Sequence, residues 1–144
     1  MANMLHALEQ GVMIVAHNKA PPSNEEFEAF SRLQAELVRA GQVQAMLVLS
    51  IGGGPGVEQR KKLAAIVEGL PVPPTAMLTS STLVRGVVTA INWIRPSSMK
   101  TFPPTAMTEA LASLGAAPEL HGAIKKRAFA LLKELGVPSS LFGG

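Results

Sequence analysis

Residues 75–94 constrain the fold more than any other segment, because a short apolar stretch, a turn rich in hydroxyls and an almost wholly apolar helix follow one another there. The apolar stretch, residues 76–78, is the predicted strand. Only Arg85, Thr89 and Asn92 interrupt the apolar surface of the helix, and their spacing places them on one narrow stripe. A helix of this kind is normally packed against a sheet with one edge in water. We therefore expect an α/β protein in which this helix is buried.

Strands and helices alternate along the rest of the chain. The predicted strands are residues 4–8, 12–16, 43–51, 76–78 and 99–102, and the last is at a sheet edge because two prolines follow it. Further helices are predicted over about 23–41, 55–68, 107–114 and 118–135. This order implies an α/β sandwich with a four- to five-stranded, mixed or mostly parallel sheet flanked by helices. We expect one domain over residues 1–144, with the basic amphipathic helix at 118–135 as a C-terminal addition.

The first two long helices show the clearest local signals. Ser23 and Glu26 have the spacing of a capping box, and Gly41 suits the end of that helix. Its predicted inward side chains are Phe27, Phe30, Leu33 and Leu37. Pro55 suits the first position of the next helix. There the predicted inward side chains are Val57, Leu63, Ala64 and Val67. The chain after residue 135 has no regular pattern.

The composition excludes several kinds of chemistry. The chain has no cysteine, and all ten acidic residues are glutamate, so disulfides, thiolates, phospho-accepting aspartates and an aspartate-held magnesium are excluded. His6, His17 and His121 lack the spacing of metal ligands, so no metal and no cofactor is predicted. A net charge of +3 is too small and scattered to indicate nucleic acid. Without a signal sequence or a transmembrane segment, the chain is expected to be cytoplasmic.

Four segments together resemble a known family: APPSNEEFEAF, LVLSIGGGPGVEQRKKLA, LVRGVVTAINWI and FPPTAMTEALASLG. With the element order, they make residues 12–115 similar to the STAS fold and, more narrowly, to the SpoIIAA-like proteins related to STAS and SEC14 domains. The resemblance implies a regulatory module that binds another protein, as anti-sigma-factor antagonists do. In those proteins a partner kinase phosphorylates an Asp-Ser motif after the central strand. Residues 52–57 occupy that place here and contain neither aspartate nor serine, so the phosphorylation switch does not carry over.

Three loops, residues 18–22, 52–55 and 79–82, are expected to meet at one rim if the strands are largely parallel. Ligands and partners usually bind at this carboxyl edge of an α/β sheet. The candidate residues for binding a partner or an anion there are Gly52, Gly53, Gly54, Ser80, Ser81, Thr82 and Arg85. Each group also has a simpler interpretation: a tight glycine turn, a hydroxyl helix cap, and an arginine that is solvated or paired with a glutamate. Trp93 is a candidate interface residue or a core residue.

These observations predict a non-enzymatic regulatory protein that binds a protein partner of unknown identity through this rim. Self-association through the edge strand or the C-terminal helix is a further expectation, as a homo-oligomer. One alternative is a small-molecule-binding module, with an apolar or lipid ligand in a cavity between helices and sheet, or an anion at the glycine turn. Another is a hydrolase, which requires a histidine or glutamate within hydrogen-bond reach of Ser50, Ser80 or Ser81.

Overall fold

The computed structural model of the protein describes residues 2–94 and 99–144, except for the side chains of residues 90–94. The strands are β1 (Met4–Glu9), β2 (Val12–His17), β3 (Ala45–Ser50), β4 (Thr75–Thr79) and β5 (Met99–Phe102). The α-helices are α1 (Asn24–Arg39), α2 (Val57–Ile66), α3 (Thr82–Ile94), α4 (Met107–Ser113) and α5 (His121–Glu134). Short 3-10 turns lie at Pro118–Leu120 and Ser139–Phe142. Each helix in these described ranges is too short or too polar to cross a membrane.

The five strands form one sheet in the order β1-β2-β3-β4-β5. The pair β1–β2 is antiparallel, and Gln10 and Gly11 join the two strands with φ values of 52° and 80°, as a tight hairpin turn requires. The pairs from β2 to β5 are all parallel. The predicted α/β fold with a mixed, mostly parallel sheet flanked by helices is therefore confirmed. The carboxyl ends of β2, β3 and β4 consequently lie at the same edge of the sheet.

One face of the sheet is closed by α4, α5 and the C-terminal residues. Because strand side chains alternate between faces, this face receives Ile14, Leu47 and Leu78, all fully buried. We predicted that five residues of the last helix face inward; four of them are buried here, Ile124, Ala128, Leu131 and Leu135, whereas Leu120 is only partly buried and lies in the 3-10 turn before the helix. The sequence pattern missed the tail, where Val137 and Phe142 are 3% and 2% exposed in this same core. The C-terminal helix and tail are thus an integral part of the fold.

Helix α1 lies on the other face of the sheet, and the predicted capping box at its start is confirmed. The Ser23 side chain accepts from the Glu26 N–H at 3.1 Å, and the Glu26 carboxylate accepts from the Ser23 N–H at 2.8 Å. Phe27 and Phe30 are buried as predicted, whereas the predicted Leu33 and Leu37 are only partly buried. The other buried residues of the helix are Ser31, Gln34 and Ala35. The helix is therefore oriented so that the side chains of Phe27, Phe30 and Gln34 face the sheet.

Helices α2 and α3 differ more strongly from the prediction. Helix α2 begins at Val57 instead of residue 55, because Gly56 is the N-cap and its N–H donates to the Gln59 side-chain oxygen at 2.9 Å. None of its residues is buried, and Val57 is 57% exposed. In α3, Val88 is buried but Leu83 is 75% exposed, so the expected burial of that helix is wrong for most of its described side chains. Both helices are less buried than predicted because α2 packs mainly on α1 and α3 packs mainly on β5.

The residues of α2 that were predicted to face inward are likewise less buried than expected. Leu63 and Val67 are half-buried and Ala64 is exposed, although all were expected to face a packed core. The strand side chains on this face of the sheet have little exposure: Met46 and Val48 are each 8% exposed, and Met77 is partly exposed.

Candidate functional site

A cavity of about 500 Å³ lies between α1, α2, α3 and the sheet. Its floor consists mainly of apolar strand side chains: Val15, Met46, Val48, Met77 and Met99. Residues 52–55 and 70–73 border it at the two ends of the strands. Sites for small organic molecules generally measure about 300–1,000 Å³ and are mostly apolar with a few placed polar groups. The cavity has the size and the chemistry of such a site.

His17 is one of the polar residues in this cavity. It is the last residue of β2, pairs in register with Ser50, and is 4% exposed. Its Nδ1 atom is buried and has no hydrogen-bond partner among the described residues. Burial lowers the pKa of His17 to about 4, against the opposing effect of the Glu26 carboxylate, so the imidazole is neutral at neutral pH. A neutral imidazole nitrogen can donate or accept, depending on the tautomer.

Gln34 is a second polar residue in the cavity, supplied by α1. It is 8% exposed, and its Nε2 donates to the Met46 sulfur at 3.1 Å. Its Oε1 atom is buried with no partner in the described part of the chain. A buried amide oxygen without a partner costs about 1–3 kcal/mol relative to a satisfied one. The oxygen has almost no accessible surface, so it is covered by neighbouring protein atoms and does not face the open space of the cavity.

Arg60 is the only formally charged side chain among the described lining residues. It is partly exposed and its Nη1 donates to the Pro55 carbonyl at 3.0 Å, beside the loop of residues 52–55. No carboxylate is found among the described residues that line the cavity. The cavity therefore disfavours a cationic ligand.

The predicted rim exists at the carboxyl edge of the sheet, where the glycine turn touches the loop after β2. The Gly53 N–H donates to the Asn18 carbonyl at 2.8 Å, and the Gly52 N–H donates to the Ser50 hydroxyl at 3.0 Å. A Cβ atom on Gly53 would overlap the Asn18 carbonyl and lie 2.6 Å from the Ala20 carbonyl. The close approach of two backbone segments explains why glycine stands at this position. Both N–H groups already have acceptors, so an anion at this turn would have to displace those acceptors. The next residue of the turn, Gly54, borders the cavity.

The hydroxyl turn at the same edge caps α3. The Ser81 hydroxyl accepts from the Val84 N–H at 3.2 Å, and the Ser81 N–H donates to the Thr79 hydroxyl at 3.0 Å. Ser80 and Thr82 are exposed. Arg85 is partly buried, and its Nη2 donates to the Thr79 carbonyl at 3.0 Å while its Nε is buried without a partner among the described residues. Arg85 thus bonds the rim backbone instead of a glutamate.

Three predictions remain, and they concern the role of Trp93, the hydrolase alternative and metal binding. The Trp93 side chain lies outside the described residues, so its role at an interface stays a prediction. The Ser50 hydroxyl donates to the Gly53 carbonyl at 2.6 Å. In residues 2–94 and 99–144, no hydrogen bond joins Ser50, Ser80 or Ser81 to a histidine or glutamate, which the hydrolase alternative requires. A search of the same residues for groups of three or more potential metal ligands finds none.

No protein-family model matches the chain, and a search of curated proteins finds no match. The functional argument therefore rests on the geometry of the cavity and its polar groups. Neither His17 nor Gln34 was predicted to be a residue of this site. A signal for each was present: Gln34 continues the line of Phe27 and Phe30 at helical spacing, and His17 ends a strand at the binding edge.

Proposed function

We propose that this protein is a binding module for one small, mainly apolar molecule, which occupies the cavity between α1, α2, α3 and the sheet. The observation that supports it is the cavity between β3, β4 and the described parts of the three helices. Strand residues that would normally pack beneath a helix instead form the floor of a cavity of about 500 Å³. Apolar surface gains about 25 cal/mol per Å² when it is removed from water, so a fitting apolar molecule is favoured there.

The proposal agrees with the SEC14-related side of the sequence resemblance, which is itself still a proposal. It also accounts for the placement of the few polar groups. Most of the described lining is apolar, as in sites where apolar contact supplies affinity and polar groups fix orientation, and five of its side chains are polar: His17, Gln34, Ser50, Arg60 and Thr75.

A fluorescence titration with N-phenylnaphthylamine, an uncharged apolar probe, tests this function. We expect saturable binding of one probe per chain. Val48→Trp should abolish that binding because Val48 is on the cavity floor and an indole there would occupy the space. The matched control is Val57→Trp, since Val57 is 57% exposed and does not line the cavity. Equal binding to wild type and to a folded Val48→Trp variant would refute the cavity as the binding site.

A second candidate function is the regulatory one, in which the rim binds a protein partner. Its support is a specific exposure: Leu83, an aliphatic residue beside the hydroxyl turn, is 75% exposed, and Ser80 and Thr82 next to it are exposed as well. A single exposed leucine is common on protein surfaces, so it is the position of Leu83 at the carboxyl edge of the sheet that favours contact with a partner. A pull-down comparing wild type with Leu83→Glu, followed by identification of retained proteins, tests it. A discrete protein retained equally by both would contradict a contact through Leu83.

A further inference from the structure

The formal charge in the described lining of the cavity lies at one end. Arg60 and Pro55 both line the cavity, and the Arg60 Nη1 donates to the Pro55 carbonyl at 3.0 Å. Pro55 belongs to the turn that follows β3, so this is the carboxyl end of the parallel strands. At the amino end, residues 70–73 precede β4 and read Leu-Pro-Val-Pro, which carries no charge. The described lining is therefore positive at one end and uncharged at the other.

The Arg60 guanidinium has donors to offer a ligand. Of the five N–H groups that an arginine carries, one has an acceptor among the described residues, the Pro55 carbonyl. The ion pairs between described side chains are Arg32–Glu28 and Lys61–Glu58, and neither includes Arg60. Arg60 is also partly exposed, so a charged group that meets it keeps part of its hydration. Guanidinium groups pair well with carboxylate and phosphate oxygens.

An apolar floor extends away from the charged end. Met46, Val48 and Ser50 alternate along β3 on the face that lines the cavity, and a strand rises about 3.3 Å per residue, so the floor extends over about 13 Å of this strand. Val48 pairs in register with Met77 of β4, which also lines the cavity and makes the floor two strands wide. The dimensions suit an elongated apolar chain that lies along the strands.

We infer that the ligand of the proposed binding function is an amphiphile with one anionic head group, a carboxylate or a phosphate, and an apolar chain. The head group meets Arg60 at the carboxyl end of the strands, and the chain covers Val48 and Met77. This inference rests on the proposed function and names the ligand class. A cationic head group is disfavoured because no carboxylate is found among the described lining residues to balance it beside Arg60.

The test compares four probes that share a ten-carbon chain and differ in head group: decanoate, decyl phosphate, decanol and protonated decylamine. Each is measured by displacement of N-phenylnaphthylamine from the full chain at neutral pH, below its micelle concentration. We expect the two anions to bind about three- to ten-fold more tightly than decanol, because a hydrogen bond to a partly exposed charged group has a net effect of this order. Decylamine should bind more weakly than decanol. The comparison of the two anions distinguishes a carboxylate from a phosphate head group.

Two substitutions of Arg60 test its role. Arg60→Gln should reduce the affinity for the anions to about that for decanol, and leave the affinity for decanol unchanged because the contacts of the chain remain. Arg60→Glu should reverse the preference, so that decylamine binds more tightly than decanoate. The matched control is Lys62→Gln, which removes one positive charge from an exposed position of α2 outside the cavity and should keep the preference for anions. Circular dichroism confirms that each variant is folded before titration.

The outcomes separate this inference from the proposed function. Saturable binding of N-phenylnaphthylamine together with equal affinities of decanoate, decyl phosphate and decanol for the wild type would overturn the inference and leave the proposed function standing. A preference for anions that Arg60→Gln and Lys62→Gln reduce equally would also overturn it, because general positive charge would then be the cause. Failure of all four probes and of N-phenylnaphthylamine to bind would overturn both.

Discussion

Acidification should destabilise this protein through His17 more than through His6. The folded state holds the pKa of His17 at about 4 because the ring is buried, whereas the unfolded chain has the ordinary value of 6.5. The unfolded state therefore binds the proton more readily. The contribution of the neutral ring to stability is fully present above pH 6.5 and is lost as the pH falls from 6.5 towards 4.

The magnitude follows from the two pKa values. Proton linkage gives a loss of about 2 kcal/mol at pH 5 and about 3 kcal/mol once the pH is below 4, relative to pH 7.5. The assay is urea unfolding of the wild type and His17→Leu, without added ligand, at pH 7.5 and pH 5. We expect the wild type to lose about 2 kcal/mol more than the variant between these conditions.

His6→Leu is the comparison variant. Burial also lowers the pKa of His6, which packs against Phe30 with ring centroids 5.3 Å apart, but His6 is less buried than His17. Its replacement should therefore reduce the acid sensitivity by less than His17→Leu does. If the wild type and His17→Leu lose the same stability between pH 7.5 and pH 5, the assignment of a buried, neutral His17 is wrong.

Two further predictions concern the rim and the tail. Gly53→Ala should destabilise the protein by about 1–3 kcal/mol because its methyl group meets two backbone carbonyls, while Gly54→Ala, with open space around it, should be close to neutral in urea unfolding. Equal effects of the two would refute the close approach. Phe142→Ala should cost about 3–5 kcal/mol and Leu141→Ala, at 50% exposure, much less, as measured by thermal or urea unfolding. A near-neutral Phe142→Ala would show that the tail is not part of the core.

Local sequence signals predicted the elements well where the chain itself determines them. The capping box of Ser23 and Glu26, the edge strand at residues 99–102 and the apolar face of α5 all depend on neighbours within a few residues. The start of α2 was placed two residues early because proline at a first helical position was preferred over the glycine cap. Phe142 was missed because a single aromatic residue in an irregular tail has no periodicity.

The candidate site was less accessible to sequence reasoning. The rim residues lie where parallel strands were expected to put them, but their N–H groups and hydroxyls are occupied by internal bonds at Gly52, Gly53 and Ser81. The cavity depends on how far α2 and α3 stand from the sheet, which is set by their packing on α1 and β5. An apolar pattern predicts that a helix has a buried side, but it does not predict the distance between that side and the surface that it faces.

The central claim, that the cavity on this face binds an apolar molecule, is tested most directly by methyl NMR on the methionines. Met46, Met77 and Met99 line the cavity, whereas Met107 is buried in the core on the opposite face of the sheet. Titration with N-phenylnaphthylamine should shift the three cavity methyl resonances in a saturable way and leave that of Met107 in place. Unchanged resonances for the three cavity methionines at saturating N-phenylnaphthylamine, or equal shifts for Met107, would contradict the account.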